Sequence, residues 1–390
     1  MENVLRLGII GFGNMGTSHA KNIIAGKCPE IEVTAIADVK PERIDAARKL
    51  FEDAGKEAPA FFAEGTELLA AHPCDAVIIC VPHYGHVPMA KAAFAEGYHV
   101  MVEKPAGVLT SDVREMNAVA KESGKVFAMM FNQRTNCVYK KIKEIIDSGE
   151  MGNMRRFNWI ITNWYRPRAY YDSGDWRATW SGEGGGVLLN QCPHQLDLWQ
   201  WFCGLPKKVD AKLHFGKWHD IEVEDDVTAY VEYENGATGV FITSTGDFPG
   251  TNRLEISFDK GKLVAEGKDL TMWKTEMSEQ EFSAVNEIPF GTPKQEKIKI
   301  ELDGSNPQHP AVLNAFADAV LHGGKLIANG EEGINGLTLS NAMHLSAWLG
   351  RPVELPFDEE LFRTELMKRV ATSRRKENVK SVVGDTEGTY

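Results

Sequence analysis

Several things are missing from this 390-residue chain, and each absence removes a class of function. No stretch approaches the ~18 consecutive apolar residues of a membrane-spanning helix. Basic residues are in the minority. The formal net charge of -12 argues against a nucleic-acid or anionic-membrane partner, which would select a basic face. The six cysteines, at 28, 74, 80, 137, 192 and 203, form no C-x-x-C pair, so neither a disulfide frame nor a zinc site is expected. No internal repeat and no low-complexity tract is present. The first residues, Met1-Glu2-Asn3, are acidic and run into a strand rather than a secretion signal, so a cytoplasmic location is expected.

What is present divides in two. From Val4 to Phe131 short apolar runs alternate with helical patterns: Val4–Ile10, Ile31–Ala37, Asp75–Val81, Tyr98–Val102 and Val126–Phe131. Apolar strands that alternate with helices predict a doubly wound parallel sheet covered on both faces. Beyond Phe131 the period falls to two. Asn235-Gly236 between Asp226–Tyr233 and Ala237–Ser244 is a strong hairpin signal, and a second turn stands at Asp259-Lys260-Gly261. The expected architecture is an α/β Rossmann domain, residues 1–131. An α+β domain with an open, mainly antiparallel sheet follows over 132–371, and then a loosely held polar tail, 372–390.

Gly11-Phe12-Gly13-Asn14-Met15-Gly16 reads G-x-G-x-x-G between a strand and a helix. The glycines allow a tight turn, close approach of a pyrophosphate and close helix packing, and the helix start offers amides to phosphate. Asp38 closes the second strand, where an acid accepts from ribose hydroxyls and repels a 2'-phosphate. NAD is therefore expected in preference to NADP, with Lys40 and Arg43 nearby to soften the preference. Val81, Pro82, His83 and His86 follow the next strand and are expected along the cofactor, His86 as cap of the following helix. A glycine turn in some other α/β protein is the competing reading.

Glu103-Lys104-Pro105 leaves the strand Tyr98–Val102 at the sheet end where ligands bind. Pro105 restricts the backbone of Lys104, and a cis Lys-Pro bond is allowed for. Farther on, Gly184-Gly185-Gly186 leads to a segment expected to be helical, with Asn190, His194 and Asp197 on one side. A near-neutral histidine suits removal of an alcohol proton, although a hydrogen-bonded structural histidine is the commoner case. Seven of nine tryptophans lie between Trp159 and Trp218. Trp164, Tyr165, Arg166, Trp176 and Arg177 offer flat rings and polar forks suited to a sugar, whereas Trp199 and Trp201 suit a core. No set of residues stands at metal-ligand spacing.

Taken together, Gly11–Gly16, Glu103-Lys104-Pro105, Asn132-Gln133-Arg134 and the triple glycine leading to His194 and Asp197 resemble the Gfo/Idh/MocA oxidoreductases. The resemblance implies hydride transfer between nicotinamide and a secondary hydroxyl of a sugar, glycoside or cyclitol. It implies Lys104 as catalytic lysine, His194 as acid–base histidine and Asn132 beside the cofactor. It also implies a homodimer or homotetramer built through the outer face of the second sheet. Many relatives carry Asp four residues before the histidine. Here Asn190 can orient a hydroxyl but cannot take a proton. For Asp197 a structural contact is the favoured reading. A glycoside-modifying enzyme that retains its NAD and works through a keto-sugar, and a non-catalytic sugar or nucleotide sensor, are the alternatives.

Overall fold

The computed structural model describes residues 4–374, 376 and 379. The first sheet has six strands: β1 (Leu5–Ile10), β2 (Ile31–Ala37), β3 (Ala60–Phe62), β4 (Ala76–Ile79), β5 (His99–Val102) and β6 (Phe127–Met129). Their order is β3-β2-β1-β4-β5-β6, and every pair is parallel. The chain winds outward from β1 through β2 and β3, then returns to the other side of β1 with β4. That reversal opens a crevice beyond the carboxyl ends of β1 and β4.

Both faces of this sheet are covered, which is why β4 is apolar and buried at every position. Helices α1 (Asn14–Ile24) and α2 (Pro41–Asp53) lie on one face, and α3 (Gly65–Ala71), α4 (His86–Ala95) and α5 (Thr110–Ser123) on the other. The short β3 and α3 were not anticipated from the sequence. The N-cap of α5 is Leu109, and Thr110 is its first residue.

The second sheet has nine strands: β7 (Met154–Ile161), β8 (Lys208–Phe215), β9 (Glu224–Glu232), β10 (Thr238–Ser244), β11 (Asn252–Phe258), β12 (Gly261–Glu266), β13 (Asp269–Thr275), β14 (Gln295–Ile300) and β15 (Val353–Glu354). All pairs are antiparallel except β7 with β10. Its inner face packs on α6 (Cys137–Asp147), α8 (Pro193–Cys203) and α11 (Gly333–Leu349), after the short α7 (Arg168–Tyr171). Phe157 stacks on Trp199 at 4.9 Å and Trp159 meets Phe241 edge-on at 6.4 Å, so these aromatics form the core, as expected of Trp199.

The exposed α9 (Glu279–Val285) follows β13. Next, α10 (Gln308–His322) crosses back to the first sheet and sets Val312, Leu313 and Phe316 against Leu5, Leu7 and Ile9. Finally, α12 (Glu359–Val370) buries Phe362 and Leu366 in the core that covers the other face. The expected loose tail from Thr372 falls largely outside the described residues. Where it is described, Ser373 Oγ and the Arg374 amide donate to Glu222, and Lys376 Nζ donates to the Tyr171 carbonyl at 2.8 Å.

Candidate active site

The crevice at the switch point holds a cleft of about 580 Å³. Three groups of residues line it. Gly13, Asn14, Met15, Lys40 and Arg43 come from the glycine loop, the start of α1 and the start of α2. Cys80 to His83, His86, Glu103 and Lys104 come from the ends of β4 and β5. The opposite wall is Trp164 to Pro167, Tyr170, Trp176, Arg177, Asn190 and Gln191.

The glycine loop is closed by backbone. Gly11 has φ +95°, and a Cβ there would stand 2.7 Å from the Cys80 carbonyl. A Cβ on Gly16 would stand 2.1 Å from the Gly11 oxygen. The N-cap of α1 is Gly13, which has no side chain to cover the helix end. Asp38, 6% exposed, accepts from the Phe12 amide at 2.7 Å, the Lys40 amide at 2.9 Å and Arg43 Nη1 at 3.2 Å. It therefore ties the glycine loop to the end of β2.

His86 does not cap α4. It is that helix's first residue, and the N-cap is Gly85. Its ring bridges the two sheet-end loops instead: Nδ1 lies 2.6 Å from the Pro105 carbonyl and Nε2 lies 2.8 Å from that of Val81. Glu103 is buried and pairs with His19 of α1 at 2.7 Å. Burial alone would raise its carboxyl, but the His19 bond and charge, with His309 and Lys104, hold it at about 2.

The Lys104-Pro105 bond is cis. Lys104 is partly exposed to the cleft, and its Nζ donates to the Asn190 carbonyl at 2.9 Å. Burial lowers its pKa, Glu103 opposes the shift, and Arg177 and Arg166 add to it.

Asn190 stands outside the helix on which it was expected. The chain turns through Gly186–Cys192, with the Asn190 amide bonded to the Gly186 carbonyl at 2.9 Å, and α8 begins only at Pro193. His194 is therefore in the first turn of α8. It is 1% exposed, does not line the cleft, and meets the Phe131 ring edge-on at 6.4 Å. Burial, and then the charge of Lys104, push its pKa well down, so the ring is neutral and the two residues share one electrostatic neighbourhood.

Asp197 accepts from Arg134 at 2.8 Å and 2.6 Å, a buried two-pronged pair that fastens α8 to the segment Asn132–Thr135. This is the structural contact expected of it. Asn132, expected beside the cofactor, is buried and does not line the cleft; its Nδ2 donates to Gln308.

On the opposite wall two guanidinium groups lie over rings. Arg166 is 5.5 Å from Trp164 and 5.2 Å from Tyr170, and Arg177 is 4.6 Å from both Tyr170 and Trp176. Tyr170 Oη joins them, accepting from Arg177 at 2.8 Å and Gln191 at 2.9 Å. Tyr170, Gln191 and the buried Glu183 were not singled out from the sequence. Tyr170 carried a usable signal, standing three residues beyond Pro167 in the aromatic-rich stretch. Among the described residues no three His, Cys, Asp or Glu side chains gather as metal ligands, and no helix is long and apolar enough to cross a membrane.

Residues 5–131 match the model of an oxidoreductase family with an NAD-binding Rossmann fold, and residues 139–264 match the Gfo/Idh/MocA C-terminal domain. The chain belongs to the Gfo/Idh/MocA oxidoreductases. It is similar to the uncharacterized oxidoreductase YrbE of Bacillus subtilis, 25% identical, covering 93% of this chain and 99% of that one. It is also similar to a D-glucoside 3-dehydrogenase of Escherichia coli, 27% identical, covering 90% and 97%. Among solved structures, the WlbA dehydrogenase of Chromobacterium violaceum, in complex with NADH and UDP-GlcNAcA, superposes with a TM-score of 0.78. It is 26% identical, with 92% of this chain and 98% of that one covered.

The loop fits the dinucleotide this family binds. It offers an uncapped helix end, a backbone that only glycine can follow, and the cationic Lys40 and Arg43 at the cleft.

Proposed function

We propose that this enzyme transfers a hydride between a secondary hydroxyl of a sugar, glycoside or cyclitol and NAD, which it uses in preference to NADP. One observation carries the reading. Lys104, at the end of β5, opens into the same cleft as the glycine loop and the aromatic–arginine wall. Gly11–Gly16, Val81, Pro82 and His83 would hold the dinucleotide, and Asp38 would take the adenosine ribose. Bound NAD supplies the hydride acceptor, or in reverse the donor.

The remaining work falls to side chains of this chain. Lys104 donates to the substrate oxygen and offsets the negative charge that builds there. Its lowered pKa eases release of a proton from the amine. His194, kept neutral by burial and standing off the cleft lining, would serve as base only through Lys104, and Asn190 orients the hydroxyl. Trp164, Tyr165 and Trp176 give flat faces to ring C–H groups, and Arg166 and Arg177 give forks to oxygens. Relatives named D-glucoside 3-dehydrogenase and myo-inositol 2-dehydrogenase support the substrate class. A homodimer or homotetramer built through the outer face of the second sheet, acting in the cytoplasm, belongs to the same reading. Exposed Ile160 on β7 and Tyr230 on β9 support that assembly.

The test is a panel of cyclitols, monosaccharides and aryl glycosides, each with NAD and with NADP, followed by absorbance of reduced nicotinamide. The expected result is turnover of at least one ring alcohol, faster with NAD. No turnover across the panel, or a marked preference for NADP, overturns the proposal.

A further inference from the structure

Behind the cleft wall stands a carboxyl that the proposed hydride transfer does not use. Glu183 precedes the triple glycine and is 3% exposed. Both of its oxygens are engaged. Oε1 accepts from Asn190 Nδ2, and Oε2 accepts from the Ala178 amide at 2.6 Å. Its backbone carbonyl lies 2.9 Å from His83 Nδ1, across the cleft floor. Asn190 in turn gives its own carbonyl to Lys104 Nζ at 2.9 Å. One residue thus holds the amine by its backbone and the buried carboxyl by its side chain.

The charged and titratable groups that act on Glu183 come from several elements. Arg177 is on its own segment and Tyr171 on α7. Lys104 follows β5, His83 follows β4, Glu224 opens β9, and Lys376 lies beyond α12. Burial raises the carboxyl most. Arg177, Asn190 and the Ala178 amide oppose that, Glu224 adds to it, and the result is about 7. Neutral and ionised forms are therefore both populated near neutral pH.

We propose that Glu183 is a positioning residue for the oxidoreduction, whose ionisation fixes the orientation of the Asn190 amide beside Lys104. This rests on Lys104 meeting the substrate hydroxyl. An ionised Glu183 only accepts, so it fixes Asn190 Nδ2 as donor. Asn190 Oδ1 is then the end not held by Glu183, an acceptor suited to a substrate O–H. A protonated Glu183 can itself donate, so the amide can reverse and present Nδ2, a donor suited to a ketone. The carboxyl that Asn190 itself lacks is supplied one hydrogen bond farther back.

The experiment uses the full-length enzyme, Glu183→Gln, Glu183→Asp and Asn190→Ala. Infrared difference titration without substrate reads the carboxyl directly. A band titrating near pH 7 is expected in wild type, lost in Glu183→Gln and displaced in Asn190→Ala. NADH binding, followed by fluorescence, should change less than about threefold in Glu183→Gln. With methyl β-D-glucoside or myo-inositol as the alcohol, wild-type kcat/KM should rise about tenfold per pH unit below the inflection and level off above it. Glu183→Gln should lose that inflection and about 10–100-fold in kcat at pH 8. Glu183→Asp should restore an inflection.

A loss of rate in Glu183→Gln with the inflection unchanged means a structural role and overturns the proposal. So does the absence of a Glu183-dependent band. Failure of wild type on every ring alcohol instead overturns the hydride-transfer reading, and the role of Glu183 falls with it.

Discussion

Replacing Asp197 with Asn separates architecture from chemistry in this site. The Arg134 side chain is 2% exposed and that of Asp197 1%, so Asp197→Asn strands a buried guanidinium. Breaking one partner out of such a pair costs about 3–5 kcal/mol. Glu332 remains at 2.7 Å from the same Arg134 nitrogen, but its side chain is 39% exposed and its attraction is partly screened. We expect the lower end, about 3 kcal/mol, from the first urea transition of the full chain. kcat per folded molecule should stay within about threefold of wild type, because Asp197 reaches Arg134 and Gln200 rather than the cleft. A loss below about 1 kcal/mol, or a kcat collapse with unaltered stability, would refute the structural assignment.

The other predictions concern the loop, the ribose acid and acid stability. In Gly16→Ala the new Cβ meets the Gly11 oxygen at 2.1 Å, so NADH binding by fluorescence quenching should fall at least about tenfold; normal affinity would contradict the closed loop. Asp38→Ser removes a charge and the ties to Phe12 and Arg43. The NAD-to-NADP ratio of kcat/KM should drop by about tenfold or more, and an unchanged ratio would remove the ribose role. His309 is pushed down to about 4, chiefly by burial and then by His19. Because its folded pKa lies below the unfolded value, the unfolded chain binds the extra proton, and stability is lost as pH falls from about 6.5 towards 4. The loss reaches about 3 kcal/mol for this group alone. His309→Gln should flatten the stability–pH curve in that window, and an unchanged slope would count against the assignment.

The regular elements of the first domain were legible because parallel strands buried on both faces read as continuous apolar runs. Those at Val4, Ile31, Asp75, Tyr98 and Val126 all became strands, shortened by a residue or two at most ends. The three-residue β3 was too short to carry a period, and the alternation in Asp269–Thr275 is broken by Trp273 and Lys274, whereas Lys208–Phe215 alternates strictly but has no Asn-Gly turn beside it to mark it as a hairpin strand. The site was legible where backbone demands glycine or proline, as at Gly11, Gly16 and Pro105. It was misread where a helix was extended backward through Pro193, although proline favours the first turn and marked the true start. Glu183 left no local signal of its role, because its partner Asn190 meets it only through the folded loop, whereas Tyr170 stood in the aromatic-rich stretch and only its pairing with Arg177 and Gln191 was hidden.

The most direct test of the central claim is hydride transfer by Lys104→Ala with the best alcohol of the panel, alongside its NADH affinity. The account predicts a loss of about 10²–10³-fold or more in kcat, with NADH binding within about threefold of wild type. Wild-type turnover by Lys104→Ala would contradict it.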